Sequence, residues 1–151
     1  CQVVELQDGS LMLTCRNEQR TGKRAVFTTK DLGKTWQAHP THLQALQDCT
    51  CQASLVAVDS PKYGRLLLYS HPDSPVRFRN TMTLRASRDE GKTWNKGYVY
   101  DSRECWGYSC IAMVDDEHVG IIYESTHVSE NSDMHGIGFL IVPLQTVMEE
   151  N

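Results

Sequence analysis

Short apolar runs rich in Val, Ile, Leu and Tyr alternate along this chain with clusters of Gly, Asp, Asn and Pro. Runs of that length with those boundaries predict strands rather than helices. Prolines at positions 61, 72 and 75 also argue against long helices in the middle of the chain. Helical turns are expected only at Leu43 to Gln47 and at Thr146 to Glu149. The chain is therefore read as all-β.

The strands fall into a repeat. Asp8-Gly9-Ser10-Leu11-Met12-Leu13 is followed by Arg24-Ala25-Val26-Phe27-Thr28 and then by the octapeptide at 29–36. Gly64-Arg65-Leu66-Leu67-Leu68-Tyr69 is followed by Met82-Thr83-Leu84-Arg85-Ala86 and the octapeptide at 87–94. A third copy begins at Val119-Gly120-Ile121-Ile122-Tyr123, continues with Gly138-Phe139-Leu140-Ile141-Val142 and lacks the octapeptide. A period of this size in an all-β chain points to propeller blades, which protect sheet edges by radial repetition. A β-sandwich is the competing architecture, but sandwiches do not repeat a long motif this faithfully.

The octapeptides, Ser/Thr-x-Asp-x-Gly-x-Thr-Trp, have a local meaning. The Asp is expected to bond backbone amides two residues on. The Gly supplies a positive φ, and the Trp packs its ring under the turn or on the neighbouring sheet. Asp31, Gly33 and Trp36, and Asp89, Gly91 and Trp94, are thus read as structural.

Composition narrows the partners. The 151 residues carry a formal net charge of -4, with 40% hydrophobic and 23% charged residues. No broad basic surface is implied, which disfavours nucleic acid; an anionic ligand must be read by local arginines. No apolar run reaches the length of a membrane span. The opening CQVVELQDGS has no basic region followed by an apolar stretch and is not read as a signal peptide. Of the six cysteines, Cys49 and Cys51 stand too close for a zinc-knuckle spacing, so buried or partly paired thiols are expected and no metal. His71, His127 and His135 have no ligand spacing and are read as loop residues.

The two octapeptides resemble the Asp-boxes of sialidases, and the surrounding segments sharpen the resemblance. The stretch Val4 to Asn17 is similar to the one that carries the second arginine of the sialidase carboxylate-binding triad, here Arg16. Arg79-Asn80-Thr81-Met82 matches the segment of the third arginine. Arg77 lies two residues away, and strand periodicity alone does not separate the two; the resemblance selects Arg79. Trp106-Gly107-Tyr108-Ser109-Cys110 resembles the segment of the nucleophilic tyrosine, and Ile122-Tyr123-Glu124 the strand of the glutamate that orients the first arginine.

The resemblance implies a C-terminal portion, about two and a half blades over residues 1–151, of a six-bladed catalytic propeller with Asp-box turns at 29–36 and 87–94. It implies exo-sialidase action: retaining hydrolysis of terminal sialic acid from glycoconjugates through a tyrosyl-sugar intermediate, without a cofactor. Arg16 and Arg79 would hold the substrate carboxylate, Tyr108 would attack, and Glu124 would orient an arginine. The chemistry is coherent. A guanidinium fork donates two parallel hydrogen bonds to a carboxylate. A neutral tyrosine avoids bringing a second anion to the anomeric centre, and sialidases are among the glycosidases that use one. A tyrosine ionises near pH 10, so it needs a base and cationic neighbours.

The first arginine and the acid/base aspartate have no counterpart here, and the tyrosine's glutamate partner is expected at or just ahead of Cys1. The remaining N-terminal part of the propeller, from the same protein or a complementary chain, is the expected partner, and the chain alone is expected to be inactive. The inferred substrate favours a secreted, periplasmic or lysosomal setting. Alternatives are a trans-sialidase, or a non-catalytic Asp-box propeller module that binds glycans or proteins.

Overall fold

The computed structural model describes residues 1–75, 78–129 and 132–149, with backbone only at 126–129 and 132–135. Among the described residues, eleven strands form three antiparallel sheets. The first joins β1 (Gln2–Glu5), β2 (Leu11–Cys15), β3 (Ala25–Thr29) and β4 (Gln37–Ala38) in sequence order. The second joins β5 (Ser54–Ser60), β6 (Gly64–Pro72), β7 (Met82–Ser87) and β8 (Tyr98–Asp101) in the same way. The third holds β9 (Ser109–Met113), β10 (His118–Ser129) and β11 (Ser132–Pro143), and the helix α1 (Leu144–Glu149) follows. The opening strands β1, β5 and β9 neighbour one another, β1 beside β5 and β5 beside β9. Meandering sheets that meet along their first strands are propeller blades.

Burial follows from this stacking. β2 alternates, with Met12 and Thr14 fully buried between less buried neighbours, as a half-buried strand does. β6 does not alternate: Leu66, Leu67, Leu68 and Tyr69 are all at 0% exposure. The second sheet lies between the other two and is covered on both faces. Leu67 and Tyr69 join Val4, Met12 and Val26 of the first sheet. Leu66 and Leu68 join Met82, Ile111, Val119 and Ile121 toward the third. Each fully buried side chain of this size stabilises the fold by roughly 1.5–3 kcal/mol. α1 closes the second cluster with Leu144 and Val147, and Asn95 Nδ2 donates to the Val147 carbonyl at 2.6 Å.

The two octapeptide turns are built alike. Asp31 Oδ1 accepts the Thr35 amide at 2.8 Å and Oδ2 accepts the Thr35 hydroxyl at 2.7 Å; Asp89 does the same with Thr93 at 2.8 and 2.6 Å. The Asp therefore reaches four residues on, not two. The reason is that Thr29 and Ser87 occupy the nearer amides, those of Gly33 at 3.0 Å and Gly91 at 2.9 Å. These hydrogen bonds hold the Asp31 carboxyl down at about 2. Gly33 and Gly91 have φ of +87° and +77°. Trp94 donates from Nε1 to the Gly91 carbonyl at 3.0 Å and lies 5.6 Å from the Tyr69 ring, against the first sheet. Trp36 is 42% exposed.

Three expectations are corrected. Residues 43–47 form turns, not a helix, because Leu43 sits at φ +56° and donates its amide across to the Arg24 carbonyl. His71 is no loop residue but lies buried in β6, and the backbones of His127 and His135 belong to β10 and β11, since that hairpin runs longer than its apolar core; the side chains of the latter two lie outside the described residues. Of the cysteines expected to be buried or partly paired, Cys49, Cys51 and Cys105 are buried as expected, but all six are free and Cys1 and Cys110 are exposed. The expected helical turn at 146–149 is present in α1.

Candidate active site

The sheet topology gathers distant residues at one end. Arg16 directly follows β2, Arg79 lies ahead of β7, Tyr108 precedes β9 and Glu124 lies in β10. The antiparallel pairing puts all four at the end where β1, β5 and β9 begin.

Each is aimed by its local turn. After Arg16 the chain bends around Asn17, whose Nδ2 donates to Thr21 Oγ1 at 2.8 Å and to the Lys23 carbonyl at 3.0 Å, while its Oδ1 accepts the Gln19 amide at 3.0 Å. Tyr108 follows Gly107, which has φ +84° and no room for a side chain: a Cβ there would meet Pro72 at 2.9 Å, Cys51 Sγ at 3.1 Å and Arg79 Cβ at 3.2 Å. Only glycine fits such a position. Glu124 is fixed by the β9–β10 register, in which Tyr123 pairs with Ser109. Its amide donates to the Tyr108 carbonyl at 2.9 Å, and its Oε2 accepts the Tyr108 amide at 3.2 Å.

The other three converge on Tyr108. Arg16 Nη1 donates to the Tyr108 hydroxyl at 3.4 Å, and the Arg79 guanidinium lies 5.3 Å from the centre of its ring. Arg79 is tied down by its Nη1 bond to the Trp106 carbonyl at 2.7 Å, and its own carbonyl accepts the Cys105 amide at 2.8 Å. Arg16 also meets Glu18 at 2.6 Å. Partial burial works against the Arg16 charge, but Glu18 and Tyr108 more than offset it and hold its pKa above the ordinary value. Tyr108 is 41% exposed, open to a ligand. A cleft of about 280 Å³ beside it is lined by Trp106, Glu124, Gly136 and Ile137. Among the nearby thiols, burial pushes Cys105 up to about 11, and the Cys49–Cys51 hydrogen bond raises Cys51, which burial also raises, while it lowers Cys49. The alternative arginine, Arg77, lies outside the described residues. Among the described residues no cluster of His, Cys, Asp and Glu could hold a metal ion.

Sequence reasoning missed a second layer around this cluster: Glu18, Arg24, Asp48 and Gln52. Asp48 and Arg24 form an ion pair at 3.5 Å with side chains 1% and 2% exposed. The signal for Asp48 was local, an Asp ahead of Thr50 in the manner of an Asx-turn. Nothing local marks Gln52.

The family described as BNR repeat-like domain matches residues 1–133. The chain belongs to this family. Sialidases are among the relatives it matches. A sialidase of Bacteroides fragilis is 43% identical over 130 residues, which are 83% of this chain and 24% of that protein. Among solved structures, the Hadza microbial sialidase Hz136 superposes with a TM-score of 0.85 at 40% identity, covering 97% of this chain and 27% of that one. The Trypanosoma rangeli sialidase in complex with sialic acid does so with a TM-score of 0.61 at 25% identity, covering 91% and 22%. The chain spans about a quarter of the length of such relatives. Sialidase kinship and an all-β architecture like that of the sialidase propellers are thus established for this BNR-family chain.

Proposed function

We infer that this chain supplies part of the active site of an exo-sialidase, and that residues 1–151 work only within a complete propeller. The observation that carries the reading is the set of contacts at Tyr108: Arg16 at 3.4 Å from its hydroxyl, Arg79 over its ring, and Glu124 on its amide. Kinship with sialidases supports it.

In this reading Arg16 and Arg79 bind the carboxylate of a terminal sialic acid, and Glu124 orients the first arginine of the triad, supplied from outside the chain. The Tyr108 hydroxyl loses its proton to a base from another part of the propeller, and its oxygen bonds to the anomeric carbon as the bond to the aglycone oxygen breaks. The aglycone oxygen takes a proton from an acid that also lies outside this chain. Water then attacks from the face that the aglycone left, gives its proton to the group that protonated the aglycone, and displaces tyrosine, whose oxygen takes back its own proton, so configuration is retained. The guanidinium beside the phenol stabilises the negative charge that builds up on that oxygen as its proton leaves, the electrostatic assistance that a weak nucleophile requires. The Asp-box carboxylates serve the turns and take no part.

The intact protein containing this chain should hydrolyse a fluorogenic sialoside, and Tyr108→Phe should lower kcat by at least about 10³-fold, the scale of a lost nucleophile. A Tyr108→Phe protein that keeps the parent rate would overturn the assignment and leave a glycan-binding propeller as the better reading.

A further inference from the structure

The loop at 48–52 joins the first sheet to the second and adds no group to the arginine–tyrosine cluster. It nevertheless holds the backbone on both sides of that cluster. Asp48 Oδ2 accepts the Asn17 amide, the peptide next to Arg16, at 2.8 Å, and Thr50 Oγ1 donates to the Asn17 carbonyl at 3.3 Å. Asp48 Oδ1 gathers the amides of Thr50 at 2.7 Å and Cys51 at 3.2 Å, so the loop winds around one buried carboxylate. Arg24 locks it, reaching Asp48 at 3.5 Å and the Cys51 carbonyl at 2.7 Å.

The far end of the loop grips the tyrosine. Gln52 Nε2 donates to the Ser109 carbonyl at 2.9 Å, and its Oε1 accepts the Ser109 amide at 2.9 Å. The Cys51 thiol donates to the Gly107 carbonyl at 3.4 Å. Tyr108 is therefore suspended between two residues held by consecutive positions of one loop. The Arg16–Tyr108 contact joins side chains far apart in sequence, and this loop is bonded to the segments of both.

We propose that the 48–52 loop is the positioning device of the site, with Asp48 setting Arg16 and Gln52 setting Tyr108. The inference rests on the sialidase reading and adds to it two positioning residues that touch no substrate. Because the two ends of the loop act on different groups, they affect different steps. Arg16 reads the substrate carboxylate, so displacing it weakens binding. Tyr108 attacks, so displacing it slows chemistry, and a misplacement of about 1 Å is enough to cost on the order of 100-fold.

The experiment uses the intact protein, a fluorogenic sialoside and an unreactive sialic-acid analogue that retains the carboxylate. Gln52→Ala should lower kcat about 10- to 100-fold while the analogue binds within about twofold of its parent affinity, the uniform-binding part being untouched. Gln52→Glu, which keeps the acceptor for the Ser109 amide and loses the donor, should fall between. Asp48→Asn should raise KM and the analogue's dissociation constant by roughly tenfold, with a smaller change in kcat. If Asp48→Asn does not fold, the Gln52 pair decides the matter. A loop that merely supports the fold would lower the active fraction in both variants with KM and analogue affinity unchanged, and that result, or no effect at all, overturns the inference. An intact parent protein that neither hydrolyses the sialoside nor binds the analogue overturns the sialidase reading and this inference with it. An active parent without the split overturns the inference alone.

Discussion

At the scale of single residues, the buried charges and near-charges are where pH should act. His71 is 2% exposed and faces Arg85 and Arg24, with Asp73 at 3.8 Å and the Tyr69 ring at 4.7 Å. Burial first, and the two arginines next, hold its pKa well below the ordinary value. The unfolded chain takes up a proton below about 6.5, and the folded one does not. The stability that depends on neutral His71 is therefore complete above that pH and declines as pH falls through it, by up to about 1.4 kcal/mol per pH unit. Thermal melts of the intact protein between pH 7.5 and pH 5 should show a steeper loss for the parent than for His71→Gln. Equal slopes would show that His71 takes its proton in both states. The sequence revealed this histidine but not its setting. Its place in β6 depends on a strand that runs on to Pro72, and its burial depends on sheets to either side.

At the scale of elements, the repeated turn was the most legible feature, because its chemistry is contained in eight consecutive residues. Even so, the two copies should not respond alike to mutation. Gly33 and Gly91 share a positive φ, so a side chain at either costs about 1–2 kcal/mol in backbone strain. A Cβ at Gly91 would also sit 2.8 Å from Met12 Cε, across the interface with the first sheet, whereas at Gly33 the nearest atom is Trp36 at 3.4 Å. Gly91→Ala should lower the melting temperature distinctly more than Gly33→Ala; equal shifts would mean that Met12 yields freely. The strands themselves were legible from composition and boundaries. The helix expected at 43–47 was not there, because Leu43 turns to φ +56° and bonds across to Arg24, which leaves Gln44 and Ala45 to close only a single turn on Thr41. The loop at 48–52 was illegible for a similar reason. Its partners lie 31 residues away for Asp48 and 57 for Gln52, and no periodicity reports such contacts.

At the scale of the whole molecule, the covered and uncovered faces give the third sheet its meaning. In register, Ile122 stands opposite Phe139, Gly120 opposite Ile141 and Glu124 opposite Ile137. Ile122, Ile137, Phe139 and Ile141 lie on one face and are all about half exposed or more. The equivalent faces between the first and second sheets, and between the second and third, are buried. An apolar face of this kind marks a surface built to be covered, and a further blade of the same propeller is its proposed cover. On this account the site at Tyr108 is complete only when that propeller is complete. The most direct test is peptide mass mapping after treatment with a fluorinated sialic acid that forms a slow-turnover glycosyl adduct, applied both to the intact protein and to the isolated 151-residue chain. The account predicts one sugar adduct on Tyr108 in the intact protein and none on the isolated chain. An adduct on any other residue, or labelling of the isolated chain, would contradict it.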